Sequence, residues 1–411
     1  MKNKKKKIIT ALLVLLLLTP LWMWIAWLLQ EKSPFKLVII DKTVLNTEAR
    51  EHRSINWILN HLKLVKADSS FYEIEKDYYG FFPKPQKKFE IHDFKNWPDE
   101  KLTRLADSCD AIYVADTYGI YTNEWYLEKW ETERSRLIYG GMQQNELELL
   151  KKFKDRRKLI VMEFNSIALP TSRRIRTAVD TLFGVQWSGW VGRYFDLLDT
   201  LKNPELPRWV YRNYKAQHGN RWPFKSGGIV LVRWDDTIEI LDADRDLEEE
   251  IPVIYATPQL RKEYGTVSEI KCAYWFDIVS NTGDNEVLAN YQIHTNSRGD
   301  SILRRYKIPT SFPAVLRHTD GYRFYYFAGD FADNPIRMSY AHYRGVEYFD
   351  FLFYTTAPLD RRWFFWGFYR PLVQTIFSWE KNYLRNGKKY YTDRSLMFKT
   401  RLALLSAFTG L

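Results

Sequence analysis

The chain has 411 residues, a net charge of +11 and an apolar fraction of 45%. This composition excludes a disordered stalk and predicts a folded body. Two cysteines and seven scattered histidines, without a C-x-x-C or H-E-x-x-H motif, give no sign of a metal site or other cofactor. Five of the positive charges are lysines in the first seven residues, so the modest remaining excess does not predict a nucleic-acid partner.

Residues 8–29 form an uncharged apolar run directly after the Lys-rich head of residues 1–7. A helix of this length spans about 33 Å, enough to cross the hydrocarbon core of a membrane. Pro20 is tolerated in a membrane helix, and no A-x-A cleavage site follows the run. The pattern predicts a single-pass transmembrane helix in the inner or cell membrane, with the C-terminal body extracytoplasmic. A cleaved signal peptide is the alternative.

Buried strands and amphipathic helices alternate in the next part of the chain. Continuous apolar runs predict strands over 36–41, 111–116 and 158–164. Apolar residues at helical spacing predict helices over 46–62, 143–153 and 172–183. This order predicts an α/β fold, with an open, mostly parallel sheet and helices on both faces.

The pattern changes in the second half of the chain. Short alternating runs over 229–305 predict antiparallel strands, as a β-rich insertion or as an extension of the sheet. We assign 36–228 to the first part of the α/β domain and 306–411 to its end and an aromatic, helical tail. The Asp320-Gly321 pair predicts a hairpin within that end. Residues 395–411 are predicted to form a last amphipathic helix.

Polar residues follow each predicted parallel strand, and ligands bind open parallel sheets at the carboxyl ends of their strands. The ligand-binding candidates are Asp41, Asp116, Tyr118, Gly140, Gly141, Asn165 and Arg173. The glycine pair leads into a helix whose N-terminal amides could hold an anion, and Arg173 could clamp an acidic group. Taken singly, each Asp is better explained as a cap or turn residue, and Arg173 as part of a solvated helix face.

A resemblance to a known family is carried by two segments. The stretch GGMQQNELELLKKFKDRRKLIVMEFNSIALPTSRRIRTAVDTLFGVQWSGWVGR resembles the central part of class I glutamine amidotransferase-like domains, and GYRFYYFAGDFAD resembles their late strand. The resemblance covers roughly 36–200 and 310–350 and implies a flavodoxin-like α/β fold. Active members place a cysteine in the turn after the central strand, where this chain has Glu163-Phe164-Asn165-Ser166. Glutamine hydrolysis is therefore not expected.

Three functions follow as hypotheses. The first is a non-enzymatic binding protein of the cell envelope, with a carbohydrate, an anionic envelope polymer or a membrane protein as its partner. The second is an envelope hydrolase that uses a carboxylate pair, Glu163 with Asp330 or Asp116, or Ser166 as a nucleophile. The third is a purely structural docking module. Cys109 and Cys272 lie in or beside apolar runs and are expected to be buried free thiols, with a disulfide as the alternative.

Overall fold

The computed structural model describes residue 10 and residues 17–128 and 134–386 of the chain. In these residues the strands, in chain order, are β1 Ser33–Pro34, β2 Leu37–Asp41, β3 Leu64–Val65, β4 Tyr79–Lys84, β5 Lys88–His92, β6 Ala111–Asp116, β7 Ile120–Tyr121, β8 Leu137–Tyr139, β9 Leu159–Met162, β10 Val185–Phe195, β11 Gly228–Arg233, β12 Ile238–Asp242, β13 Val253–Ala256, β14 Glu269–Lys271, β15 Phe276–Asn281, β16 Glu286–Gln292, β17 Ser311–His318 and β18 Arg323–Phe327.

The helices, over the same residues, are α1 Thr19–Leu29, α2 Arg50–His61, α3 Asp99–Ser108, α4 Thr122–Leu127, α5 Gln144–Asp155, α6 Arg173–Phe183, α7 Arg208–Gln217, α8 Ala243–Asp246, α9 Pro258–Tyr264, α10 Ser297–Arg305, α11 Arg361–Phe364 and α12 Arg370–Asn386. Shorter 3-10 turns lie at Met338–His342, Val346–Tyr348 and Asp350–Leu352, and a π segment, Phe365–Tyr369, joins α11 to α12.

A ten-stranded sheet forms the centre of the fold, in the order β14-β13-β16-β17-β18-β9-β6-β2-β4-β5. Its middle strands, β18, β9, β6, β2 and β4, are parallel neighbours. Antiparallel strands extend both edges, so the sheet is mixed. The prediction of an α/β fold with helices on both sides of a large sheet is confirmed, but the prediction that the sheet is mostly parallel is wrong. The reason is that segments lying between the parallel strands along the chain, those that form β5, β13, β14, β16 and β17, add antiparallel strands at the edges of the sheet.

The three predicted buried strands are confirmed as β2, β6 and β9. Every residue of each of these strands is buried, as expected for parallel strands covered on both faces. The predicted helices are found as α2, α5 and α6. The predicted hairpin is also present, with His318 of β17 paired to Phe324 of β18.

Strands from the segment 229–305 lie in two sheets. β11, β12 and β15 join β10 in a separate four-stranded antiparallel sheet, whereas β13, β14 and β16 extend the central sheet. The two sheets meet at the end of β18, where Phe276 bridges to Gly329 and Asp277 N donates to Ala328 O at 2.7 Å. This junction places a residue of the second sheet beside the carboxyl ends of the parallel strands.

The N-terminal helix α1 has 11 residues, and its final turn packs against the body through Trp27, which is buried. No helix among the described residues is long and apolar enough to cross a membrane. Of the predicted span 8–29, residues 8–9 and 11–16 lie outside the described part of the chain, as does the helix predicted over 395–411.

Both cysteines are buried free thiols, as expected from their apolar surroundings. Cys272 lies 3.4 Å from the hydroxyl oxygen of Tyr291, and burial raises the pKa of its thiol to about 11. The thiols therefore belong to the packed interior.

Candidate functional site

Four neighbouring parallel strands end at one edge of the central sheet. Asp41 and Asp116 are the last residues of β2 and β6, and Asn165 and Asp330 lie in the loops that follow β9 and β18. Because the strands run in the same direction, their carboxyl ends share this edge. We call the polar residues gathered there the carboxyl-edge site: Asp41, Thr43, Glu51, His52, Asp116, Asn165, Asp277, Asp330, Asp333 and Arg361.

Asp116 connects the β2 and β9 loops. Its Oδ1 accepts hydrogen bonds from Thr43 Oγ1 at 2.6 Å and from the Tyr118 backbone N–H at 2.5 Å, and its Oδ2 accepts one from Asn165 Nδ2 at 3.1 Å. Burial raises the pKa of Asp116 to about 8, and the nearby Asp41 charge adds to this effect. The hydrogen bonds from the three donors act in the opposite direction. A carboxyl group in this setting exchanges a proton near neutral pH.

Asp41 and His52 form a fully buried pair. Asp41 Oδ2 lies 2.6 Å from His52 Nδ1, and His52 Nε2 lies 2.7 Å from Ile74 O, so both ring nitrogens face acceptors. The ring of Tyr78 packs against the imidazole with 4.6 Å between the ring centroids. The pair fixes the first turn of α2 to the end of β2.

The second sheet contributes Asp277 to the site. Its Oδ2 accepts hydrogen bonds from Tyr326 Oη at 2.8 Å and from Asn165 N at 3.2 Å, whereas its buried Oδ1 has no partner among the described residues. Asn165 has a φ of +63°, a left-handed conformation that asparagine adopts more readily than most residues. Burial raises the pKa of Asp277 to about 7.

Glu51, in the first turn of α2, faces the other carboxylates of the site. It is partly buried and accepts no hydrogen bond from any other residue that the structure describes. Burial and the charges of Asp41, Asp333 and Asp116 raise its pKa well above the ordinary value. Glu51 is therefore a carboxyl group whose hydrogen-bonding capacity is open to a ligand.

Arg361, from the start of α11, supplies a positive charge at the β18 side of the site. Its guanidinium donates to Asp330 Oδ2 at 3.1 Å, to Asp333 Oδ2 at 3.2 Å and to Asp330 O at 2.6 Å. The guanidinium also lies over the ring of Tyr274, 3.9 Å from its centroid. Burial raises the pKa of Asp330, whereas the charge and hydrogen bond of Arg361 lower it.

Glu163, a predicted catalytic residue, points into the core. It is 1% exposed, and its carboxyl group accepts a hydrogen bond from Tyr113 Oη, which lies 2.6 Å from Tyr369 Oη. Burial raises its pKa well above the ordinary value, and the nearby Asp330 charge adds to this effect. The prediction that Glu163 acts on a ligand is corrected to a role in the core, because the aromatic residues of the interior enclose it.

Ser166 is also excluded as a nucleophile. Its side chain is fully buried, and its Oγ donates to Glu163 O at 2.5 Å. The histidine of the site, His52, is held by Asp41 and Ile74 O. A serine nucleophile needs a base as its hydrogen-bond partner, so the prediction for Ser166 is corrected to a role in the turn after β9.

We expect Ser166→Ala to lower the free energy of unfolding by about 1 kcal/mol, the usual net contribution of one hydrogen bond. Glu163 O stays paired in this variant because it also accepts from the backbone N–H of residue 166, at 3.2 Å. Urea unfolding followed by circular dichroism measures the change. Ligand binding at the carboxyl-edge site should be unchanged, and a loss of binding would restore Ser166 to the site.

The glycine pair does not open an anion site. The N-terminal amide of Gln143 donates to the helix's own Glu146 carboxylate at 2.7 Å, and Gly141 N donates to Thr117 O at 2.7 Å. Glu146 in turn forms a buried ion pair with Lys42, at 2.6 Å. The expected anion site at Gly140 and Gly141 is wrong, because a side chain of the protein already occupies the helix N-terminus.

Two further predicted residues lie at the margin. Tyr118 reaches the site through its backbone amide, and its ring packs on Tyr121 with 4.9 Å between the centroids. Arg173 is exposed at the start of α6 and makes no hydrogen bond to the carboxyl-edge site as the structure describes it. Its prediction as a binding residue of this site is not supported by the geometry.

Several members of the site were not predicted from the sequence. Glu51 and His52 belong to the helix that follows β2, and a helix after a parallel strand begins at the carboxyl edge, so their positions could have been inferred. Asp277 and Arg361 are brought in from separate parts of the chain, and no local pattern marks them.

Cavities elsewhere do not coincide with this site. One cavity, with a volume of about 410 Å³, is lined by residues that include Asp180, Gly184, Asn285, His318 and Tyr322. None of the predicted site residues lines it. Among the described residues, no group of three or more His, Cys, Asp or Glu side chains is arranged to hold a metal ion.

Comparisons with known proteins add little to this geometry. No protein-family model matches the sequence, and no curated protein matches it. A crystal structure of a ThuA-like protein from Bacteroides uniformis matches with 11% identity and a TM-score of 0.35, over 74% of this chain and 86% of that one. A ThuA-like protein from Parabacteroides merdae matches with 10% identity and a TM-score of 0.30, over 72% and 79%.

ThuA-like proteins have the class I glutamine amidotransferase-like fold, the family that the sequence resembles. Because both TM-scores are below 0.5, nothing about this chain is inferred from these two matches. The description of its fold therefore depends on the observed strand order and pairing.

Proposed function

We propose that this protein is a membrane-attached binding protein of the cell envelope, and that the carboxyl-edge site binds a neutral carbohydrate. The observation that carries the proposal is the partly buried Glu51, which has no hydrogen-bond partner among the described side chains and faces Asp41, Asp116 and Asp333. Sugar hydroxyl groups both donate and accept hydrogen bonds, so they can pair with a carboxyl group in either protonation state.

The charge of the site favours a neutral ligand over an anionic polymer. Burial raises the pKa of Glu51 and of Asp116, and the charges of neighbouring carboxylates add to this effect. Additional negative charge from a ligand would therefore be unfavourable at this site. Arg361, a positive group at this edge, is engaged by its hydrogen bonds to Asp330 and Asp333.

Binding is favoured over hydrolysis. Two of the predicted catalytic residues, Glu163 and Ser166, are enclosed by protein and face no open space. A hydrolase needs an acid and a base that reach the scissile bond. The carboxyl groups of Asp330, Asp41 and Asp116 are tied to Arg361, His52 and the loop donors, which suits recognition of a bound ligand.

Membrane attachment is supported by the character of α1. Its exposed side chains are apolar and large, including Trp22, Trp24 and Leu29, which is 81% exposed. In water such a surface is unfavourable, whereas a bilayer accommodates it. The uncharged run 8–29 and the lysines before it agree with this assignment.

The proposal predicts that Glu51→Ala weakens carbohydrate binding about tenfold, equal to about 1.4 kcal/mol. The measurement is isothermal titration calorimetry of the full chain in detergent, with neutral and acidic envelope oligosaccharides as ligands. Glu100→Ala, at an exposed position of α3, is the matched control and should bind as the unsubstituted protein does. Equal binding by the two variants, or a preference for acidic oligosaccharides, would contradict the proposal.

A further inference from the structure

The helix α1 is fixed directly to the folded body. Trp27 Nε1 donates to Asn60 O at 3.2 Å, and the indole packs on the ring of Phe71 with 5.7 Å between the centroids. Lys63 Nζ donates to Leu28 O and Gln30 O, both at 2.9 Å, and so caps the last carbonyl groups of the helix. Because no spacer separates the helix from the body, the direction of α1 sets the orientation of the body.

The body also contacts the side of α1, well before its end. Arg344 N donates to Met23 O at 3.1 Å, and the His342 ring lies 4.5 Å from that of Trp27. Met23 precedes Leu29, the last residue of α1, by six positions, which corresponds to about 9 Å along a helix. The chain near Arg344 therefore runs alongside the apolar helix.

The residues that follow Arg344 expose large apolar side chains. Tyr348 is 77% exposed, Phe351 62% and Leu352 66%, all within the 3-10 turns of residues 345–352. We call residues 345–352 the interfacial segment. Three exposed side chains of this size within five residues are unfavourable in water and call for a partner.

Positive side chains flank the interfacial segment. Arg344 directly precedes it. Lys381 of α12 lies near Arg344 and Arg385: burial lowers the pKa of Lys381, and the charges of these two arginines lower it further. Aromatic residues with neighbouring basic residues are typical of the zone where a protein meets lipid headgroups. Within the segment, the Glu347 carboxylate lies 3.6 Å from His61 Nε2 and Asp350 is a second acidic residue, so the basic charge lies beside the segment and not in it.

We propose that the interfacial segment inserts into the headgroup layer of the membrane beside α1, and so holds the body in one orientation on the bilayer. The inference rests on the membrane attachment proposed above. If Leu29 lies at the membrane surface, Met23 lies about 9 Å deeper along a helix that enters the lipid. This depth falls within the roughly 5–10 Å that is typical of interfacial segments. Tyr348, Phe351 and Leu352 then lie at the level of the headgroups and upper acyl chains.

The test uses the full chain in vesicles of phosphatidylethanolamine and phosphatidylglycerol that also contain doxyl-labelled phosphatidylcholine. Phe351→Cys carries an environment-sensitive fluorophore, and Leu201→Cys, at a loop position that is 96% exposed, is the matched control. The unsubstituted chain, whose cysteines are buried, gives the labelling background. Flotation of the same samples measures membrane attachment independently.

We expect doxyl lipid to lower the fluorescence at position 351 about twofold and to leave position 201 unchanged. A protein that floats with the vesicles but shows no quenching at position 351 would overturn the inference and leave the attachment intact. Shielding of position 351 from aqueous iodide without quenching by lipid would indicate a second copy of the chain as the partner, and would also overturn it. A protein that fails to float would contradict the attachment itself.

Discussion

Lys42→Met should destabilise the protein by about 3–5 kcal/mol, the usual cost of removing one partner of a buried ion pair. Lys42 has no exposed side-chain surface, and its ammonium group is 2.6 Å from Glu146 and 2.8 Å from Gly141 O. Without it, the carboxylate of Glu146 stays buried with only the Gln143 amide as a donor among the described residues. Thermal and urea unfolding of the two proteins measure the difference.

The double variant Lys42→Met/Glu146→Gln is the control for this prediction. The neutral amide removes the unpaired charge and can still accept from the Gln143 amide, so most of the lost stability should return. Burial raises the pKa of Glu146, and Lys42 opposes that effect. The native single variant therefore holds a proton that the unfolded chain releases, and its stability deficit should grow as the pH rises from 5 to 8. Equal deficits in the single and double variants would disprove the account.

Asp116→Asn should raise the free energy of unfolding at pH 8 by about 2 kcal/mol and flatten the dependence of stability on pH. The pKa of Asp116 is about 8 in the native state, whereas an aspartate in an unfolded chain titrates near 3.9. Between these values the native state binds more protons than the unfolded state, so stability falls as the pH rises. Asp277, with a pKa of about 7, acts in the same direction.

Denaturant unfolding at pH 5, 6, 7 and 8 tests this prediction. The carboxamide introduced at position 116 would still accept from Thr43 and Tyr118 through its carbonyl oxygen, and Asn165 can rotate its own amide to accept the new donor. Asp155→Asn, at an exposed position of α5, is the matched control and should change stability by less than about 0.5 kcal/mol at each pH. An unsubstituted protein that gains stability toward pH 8 would refute the assignment of a protonated carboxyl group.

The two variants address different properties of the same sheet edge. Lys42 and Glu146 hold the helix α5 against the end of β2, which is a structural role. Asp116 instead joins three loops through hydrogen bonds and holds its proton near neutral pH. A ligand that donates hydrogen bonds should favour the ionised form of such a group, so binding at this site is expected to strengthen as the pH rises toward 8.

Much of the central fold could be predicted from local patterns. The apolar runs that became β2, β6 and β9 are continuous and are followed by polar residues, which is the pattern of parallel strands buried on both faces. The helices α2, α5 and α6 have apolar residues at helical spacing. These signals depend on near neighbours in the chain, and a sequence displays them directly.

The composition of the sheet edges was not predictable in the same way. The segment 229–305 has the pattern of alternating antiparallel strands, yet β13 and β16 pair into the central sheet while β11 and β12 form another. Strand partners are set by long-range packing, which no periodicity records. For the same reason Asp277 reaches Asn165 from a distant part of the chain.

Whether a predicted site residue lies in the carboxyl-edge site depends on the direction in which its side chain points. Asp41 and Asp116 end their strands and face the edge, whereas Glu163 lies one residue beyond β9 and turns inward to Tyr113. Successive residues of an extended chain point to opposite sides, so a shift of one position exchanges the core for the cleft.

The amino-acid sequence by itself determined the apolar N-terminal run, the parallel strands at the centre of the sheet and the polar residues at their carboxyl ends. Only the tertiary structure showed that Glu163 and Ser166 are enclosed by protein, and that Glu51, from the helix after β2, accepts no hydrogen bond from another described residue. The reason is physical. Local periodicity reports whether a segment is buried, but the choice of hydrogen-bond partner for each polar atom depends on segments far away in the chain.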